Sequence, residues 1–230
     1  MTRLLVVAID GPAGAGKSTV SRRLAEALGY RYVDTGAMYR IIGVVAADRH
    51  IEFSDTAALA ALCDATTIEF VERDGQVRTF GNGRDLSTAI RTAEAAQLAS
   101  KVSAVPAVRE RLVAKQRQMG AGGGVVMEGR DIGTVVFPDA AVKVFLDASP
   151  HERARRRASE SPGGATPTEI DRIAREIAER DARDRGRAHS PLQPAADAIV
   201  MDTTDKDIDQ VVSELRALVA TRATALASHG

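Results

Sequence analysis

Cysteine is almost absent from this chain: Cys63 stands alone among 230 residues, so no internal disulfide can form and the fold must be held by packing. Cys63 lies in an Ala/Leu-rich helical stretch, where a buried free thiol is the ordinary case and a catalytic one the exception. An excess of either charge is also missing. With 31 basic and 31 acidic residues the chain lacks the basic surplus of a duplex-binding protein, and no nucleic-acid partner is expected. Long apolar runs are missing too: residues 4–9 and 142–146 fall far short of the roughly 20 needed to span a bilayer. Met1 opens directly into the first run without a cleavable signal pattern, so a cytoplasmic protein with no membrane partner is expected. The histidines, His50, His151, His189 and His229, are scattered without metal-ligand spacing and suggest no histidine chemistry. Lysine is missing from residues 153–187, where arginine, the better fork for carboxylate and phosphate, is plentiful. A codon bias toward arginine would account for that equally well.

What is present suffices for one sizeable core, with 44% hydrophobic and 27% charged residues. Residues 4–9, LLVVAI, read as a strand buried on both faces, and a Gly-rich loop follows at once. Residues 17–28 carry Val20, Leu24 and Leu28 on one face and read as a helix closed by Gly29. A short strand at 32–33 and a helix from Met38, after the turn at 34–36, continue the alternation of a doubly wound α/β fold. The pattern then changes to period two at 67–80 around Asp74-Gly75, which predicts an antiparallel hairpin and, within an α/β alternation, an insertion. Residues 92–118 are helical with a break or restart at Pro106, and the glycine link 120–124 leads into a strand at 125–127 that ends in Glu128-Gly129-Arg130-Asp131. A buried strand at 142–146, a helix from Pro150, a mobile loop at 159–168, a helix at 170–183, a strand at 198–201 and a helix at 208–226 complete the chain.

The sequence Gly11, Pro12, Ala13, Gly14, Ala15, Gly16, Lys17, Ser18 matches G-x-x-x-x-G-K-[ST], directly after a predicted strand and directly before a predicted helix. Its glycines let successive N–H groups turn inward toward an anion, and the helix N-terminus adds a partial positive charge. A nucleoside triphosphate, most simply ATP, is therefore expected on residues 11–19, Thr19 included, with Lys17 on the β- and γ-phosphates and the Ser18 hydroxyl on Mg²⁺. The loop fixes the donor and leaves the acceptor open. No N-K-x-D run reads guanine and no L-S-G-G-Q run marks a transporter ATPase, which favours a small-molecule kinase over a switch or a motor.

The ordered set GPAGAGKST, DTGAMYR, IRT, ASKVSAVPAVRERL, EGRDIGTVVFPDA, VKVFLDAS and ERDARDRGRA resembles the bacterial cytidylate kinases, members of the nucleoside monophosphate kinase group, over about residues 4–204. The resemblance implies a P-loop NTPase-type parallel sheet with helices on both faces, in a single kinase domain spanning 1–230. Within it the core is expected at about 1–63, 104–155 and 186–230, a nucleotide-binding insertion at about 64–103 and a lid at about 156–185. It further implies an acceptor, CMP or dCMP, held by Thr35, Arg40, Ser100, Arg109, Arg130, Asp131, Arg180, Asp184 and Arg187. Thr35 stands where many relatives have serine, and Glu128 where some have aspartate.

Chemistry supports this set independently. Cytosine offers a donor at its N4 amine and acceptors at N3 and O2, so Asp131 complements the amine and Arg109 the acceptors, whereas uracil would set a carbonyl against Asp131. A helix cap is the structural alternative for Asp131. Arg153, Arg156 and Arg157, at helical spacing before the loop, could act with Lys17 and Arg130 on the transferring phosphoryl group, or form a solvated face. Arg180, Asp184 and Arg187, spaced by four and three, share one helix face. Kinases of shikimate or other small metabolites share the cradle, and a nucleotide-dependent switch is the rival outside the enzymes. A monomer is expected, since no exposed apolar stripe or heptad is evident.

Overall fold

The computed structural model describes residues 4–73, 76–159, 166–187 and 189–228. In chain order the elements are β1 (Val6–Asp10), α1 (Lys17–Leu28), β2 (Arg31–Asp34), α2 (Thr35–Asp48), α3 (Thr56–Ala65), β3 (Ile68–Arg73) and β4 (Gln76–Gly81). A two-residue strand β5 (Arg84–Asp85), a 3₁₀ turn (Ala89–Arg91), α4 (Ala93–Val102), α5 (Pro106–Gly120) and β6 (Val125–Gly129) follow. After β6 come a π-helical turn (Ile132–Val136), β7 (Val142–Asp147), α6 (Pro150–Ser159), α7 (Pro167–Arg185), β8 (Ile199–Asp202) and α8 (Ile208–Ala227). Two compact units result, Met1–Arg31 with Gly122–Gly230, and Tyr32–Ala121.

The first unit is built on parallel strands. β1 pairs in parallel with β6 on one side and β7 on the other, and β7 pairs with β8, so the strand order within this unit is β6-β1-β7-β8. Every residue of β6 and four of five in β1 are buried. Successive side chains of a strand point to opposite faces, so burial of both sets means that both faces of these strands are covered. The connection from β1 through α1 places Val20, Leu24 and Ala25 in the interior, and α8 contributes Val211, Val212, Leu215 and Val219. Gly29 closes α1 in the left-handed conformation at φ 65°, the end that the sequence pattern predicts.

In the second unit α2, α3, α4 and α5 surround one apolar cluster that includes Met38, Ile41, Ile42, Leu59, Leu62, Val102, Val108 and Leu112. The buried Cys63 belongs to this cluster, and burial pushes its thiol up to about 11, so it packs as a small hydrophobe. The antiparallel strands β3, β4 and β5 form a separate sheet in this unit. The Asp74-Gly75 turn lies outside the described residues, as does most of the expected loop at 159–168. Pro106 starts α5 at its first turn, where its missing N–H costs nothing.

One helix begins earlier than the periodicity predicts. α2 starts at Thr35, not Met38, because the Asp34 side chain accepts from Ala37 N at 2.9 Å and caps the turn. No helix among the described residues is long and apolar enough to cross a membrane.

The cluster around α5 yields a stability prediction. Leu112 is fully buried, and Leu112→Ala is expected to cost about 2 to 5 kcal/mol, read as a lowered denaturant midpoint with an unchanged slope.

Candidate active site

The loop between β1 and α1 turns through three glycines of positive φ, Gly11 (148°), Gly14 (78°) and Gly16 (84°). Two are also places of close approach: a Cβ at Gly11 would lie 2.0 Å from Leu146 O, and one at Gly14 2.7 Å from Arg153 O. Only glycine lets β7 and α6 come so near the loop. α1 then begins at Gly16 with no side-chain cap, unlike α2, α3, α4, α7 and α8, which Asp34, Asp55, Thr92, Thr166 and Asp207 cap. The first N–H groups of α1 thus have no capping side chain, the arrangement an anion-binding helix start requires.

Lys17 is buried at the start of α1, and its Nζ donates to Pro12 O at 2.6 Å. Burial, reinforced by the positive charge of Arg130, lowers its pKa to about 7. Ser18, beside it, is exposed. The cradle's other wall is α6. Arg153, buried, donates through Nη1 to Ala13 O at 3.1 Å, through Nε to Ala148 O at 3.1 Å, and to the Asp181 carboxylate of α7. Asp181 in turn accepts from Ala13 N at 3.3 Å. Arg156 donates to Thr203 Oγ1 at 2.9 Å and to Glu152 at 2.8 Å, and its Nη1 would lie 3.7 Å from a Cβ on Gly16. Neither side chain belongs to a solvated face. Arg155, exposed and paired with Glu152, does. Arg157 is half-buried on the same helix.

Beyond β6 the chain gathers arginines around one buried carboxylate. Asp184 accepts from Arg130 Nε at 3.1 Å and from Arg187 Nη2, with Arg180 Nε 3.9 Å away. Burial alone would push Asp184 up, but the charges of Arg130, Arg187 and Arg180 outweigh it and hold the carboxyl below the usual range. The spacing of 180, 184 and 187 thus does bring these groups together, although α7 ends at Arg185 and Arg187 lies just past the helix rather than on it. The inclusion of Arg130 in this group is visible only in the structure. Asp131, buried, opens the π-helical turn without serving as a side-chain cap, and its C=O accepts from Val135 N at 2.9 Å.

In the second unit the predicted residues collect on α2, α4 and α5. Thr35 is buried in the first turn of α2, and Arg40, one turn on, sits 3.8 Å from the Asp34 carboxylate. Arg109 is 6% exposed: its Nη1 donates to Ser103 O at 3.4 Å and its guanidinium lies 5.7 Å from the centroid of the Tyr39 ring. Ser100 is half-buried in the last turns of α4, its C=O accepting from Ser103 Oγ at 3.0 Å.

Two buried carboxylates that the sequence reading passed over stand among these groups. Asp10 ends β1 directly before Gly11 and accepts from Ile132 N and Gly133 N, both at 2.8 Å. Asp181 extends the buried stripe of α7, Ile177, Asp181, Asp184, at a spacing of four and three. An acidic residue on the apolar face of a helix was the available signal for Asp181. For Asp10 it was a carboxylate terminating an otherwise apolar strand.

The sequence model of the family described as Cytidylate kinase matches residues 7–221. A cytidylate kinase of Syntrophotalea carbinolica is 50% identical over 222 residues, 96% of this chain and 94% of that one. The cytidylate kinase of Pasteurella multocida is 44% identical over 214 residues, 93% and 94% of the two chains. Among solved structures, a gluconokinase from Sinorhizobium meliloti 1021 is similar at a TM-score of 0.50 and 16% identity over 100% of this chain and 98% of that one, a likeness of fold alone.

The lowered pKa of Lys17 makes triphosphate binding pH-dependent. Phosphate charge favours the ammonium, so at pH 8, above its present value of about 7, binding should draw about one proton from solvent. At pH 6 the lysine is already charged and uptake should fall to near zero. Calorimetry of ATP binding in two buffers of different ionisation enthalpy measures this, and Lys17→Met should abolish the uptake at pH 8.

Proposed function

The chain belongs to the cytidylate kinase family, and from that premise we propose that it transfers the γ-phosphoryl group of ATP to CMP or dCMP, giving ADP and CDP or dCDP. The observation that carries this reading is the pairing, within the first unit, of a phosphate cradle with a carboxylate-centred group of three arginines that ends in Asp131. A cradle alone serves many reactions. Guanidinium groups held by Asp184 suit a second, anionic substrate, and Asp131 suits an amine on its base.

In this mechanism Lys17 and the N–H groups of residues 11–19 would hold the donor's phosphates, while Arg40, Arg130, Arg180 and Arg187 would hold the acceptor, with Thr35, Ser100 and Asp184 beside its base and sugar. Arg109 would donate to N3 or O2 of the cytosine, and Asp131 would accept from N4. The acceptor oxygen is already ionised, so no general base is required. Transfer is then a matter of in-line positioning and of neutralising charge on the equatorial oxygens. Arg153 and Arg156 would serve there by exchanging Ala13, Asp181 and Thr203 for phosphoryl oxygens, with Arg157 beside them.

Mg²⁺ fits the donor set: Ser18 presents an exposed hydroxyl in the first turn of α1, and this ion commonly keeps several waters and binds through substrate phosphates plus one or two protein oxygens. Bound with the triphosphate, it would neutralise charge on the β- and γ-oxygens. A monomer working in the cytoplasm, without nucleic-acid or membrane partners, accords with the balanced charge and short apolar runs.

The test is a coupled assay of diphosphate formation with ATP and CMP, dCMP, UMP, AMP, GMP and shikimate. Strong activity is expected with CMP and dCMP and weak activity with UMP. Asp131→Ala should lower kcat/KM for CMP about 10- to 100-fold, the equivalent of roughly 1 to 3 kcal/mol for one lost buried hydrogen bond, and narrow the gap to UMP. Phosphorylation of shikimate with no nucleotide accepted would reject the reading.

A further inference from the structure

The carboxylate at the root of the cradle has no part in the reaction just described, yet the main chain grips both of its oxygens. Asp10 is 4% exposed, and each of its oxygens accepts one main-chain N–H, Oδ1 from Ile132 and Oδ2 from Gly133, both at 2.8 Å. A carboxylate bonded to two consecutive amides fixes both the position and the tilt of the two peptide planes. Those planes follow Asp131 directly. The first of these peptides is also held through its oxygen, since the Asp131 carbonyl accepts from Val135 N at 2.9 Å and Val136 N at 3.2 Å. Asp131 itself stands at φ −148° and ψ 26°, outside the helix and strand regions.

A carboxylate is costly at this position: burial pushes Asp10 up to about 6 and the negative charge of Asp131 pushes in the same direction, against the bonds from the Gly133 and Ile132 amides and the positive charge of Lys17. An apolar residue would avoid both costs. What it would not do is tie the last residue of β1, where the phosphate loop begins, to the peptide that sets the direction of Asp131.

We infer that Asp10 is a positioning residue for acceptor selection: by clamping the Ile132 and Gly133 amides it aims the Asp131 carboxylate at the exocyclic amine of the acceptor base, and so sets the preference for an amino over a keto pyrimidine. This rests on the reading of Asp131 as the group that meets that amine. Asp10→Asn keeps shape and volume but turns an NH₂ against one of the two N–H donors, which releases one arm of the clamp.

The experiment is a double-mutant cycle on the full chain, with wild type, D10N, D131A and the double variant assayed on CMP and UMP at varied ATP. D10N is expected to lower kcat/KM for CMP by about tenfold or more and to cut the CMP-over-UMP preference by a similar factor, while KM for ATP stays within about threefold. In the D131A background the same substitution should change the preference by less than about twofold. If D131A keeps the wild-type preference, the reading of Asp131 has failed and the inference falls with it. If D131A loses the preference while D10N keeps it, or if D10N weakens CMP, UMP and ATP alike, Asp131 stands and the positioning role of Asp10 is overturned. Amide exchange in the wild type tests the clamp itself, so the inference can still be overturned if D10N does not fold. Ile132 and Gly133 should exchange as slowly as Val7 and Ile9 in β1, and exchange about 100-fold faster would mean that no clamp exists.

Discussion

Cations crowded together in a protein interior repel one another, and the first unit is organised around that constraint. Lys17 shows it: the charges of Arg130 and Arg180 add to burial in lowering its ammonium. The protein's answer is a set of buried carboxylates. Asp184 gathers Arg130, Arg180 and Arg187, and Asp181 takes Arg153. Burying a charge is costly unless it is paired and hydrogen-bonded, and these acids meet the condition, with the guanidinium groups as partners. The cluster is therefore pre-assembled, and a substrate need not supply the energy to gather the arginines from solvent.

The same economy appears in the backbone. The loop at 11–16 turns by means of glycines, and the approach of Leu146 O and Arg153 O leaves no room for a side chain at Gly11 or Gly14. The loop is held from outside by Arg153, which donates to Ala13 O, and by Asp181, which accepts from Ala13 N. Asp181 occupies, for that one N–H, the role that a phosphoryl oxygen fills in an anion-binding loop. Its sequence position, three residues before Asp184, puts the two acids on one face of α7 and lets a single helix serve both the cradle and the arginine group.

Much of this fold was legible in the sequence because buried parallel strands and amphipathic helices leave plain periodicities. LLVVAI predicted β1, the stripe Val20, Leu24, Leu28 predicted α1, and Gly29 its end. Pro106 marked the start of α5. The start of α2 was misjudged by a turn, since the apolar pattern begins at Met38 whereas the cap, Asp34, sets where the hydrogen bonding begins. The candidate site was legible as a set of residue types at motif spacing, and the group around Asp184 could be read from the intervals 180, 184, 187. What could not be read was which cation pairs with which acid across the fold. Arg130 and Asp184 are 54 positions apart, and Asp10 and Ile132 are 122 apart, separations on which no local pattern bears. Spacing left Arg153 either on the transferring phosphoryl group or on a solvated face, and its burial between the loop and α7 depends on that same long-range packing.

The distance between Asp10 and its partners in sequence also bears on how selectivity can be built at all. A carboxylate has about four lone-pair sites, and protein bonds to its oxygens take some of them, so orientation supplied by the main chain leaves more for a ligand. After Asp131 the main chain is held in this way: its carbonyl is bonded by Val135 N and Val136 N, and the Ile132 and Gly133 amides by Asp10. Ile132 and Gly133 open the π-helical turn, where the first N–H groups have no partner within the turn and are available to Asp10. The end of β1 is the natural anchor, since its residues are buried and paired on both sides by β6 and β7. One strand thus ends in a residue that is bonded to the peptides after Asp131 and is followed at once by the glycine loop of residues 11–16.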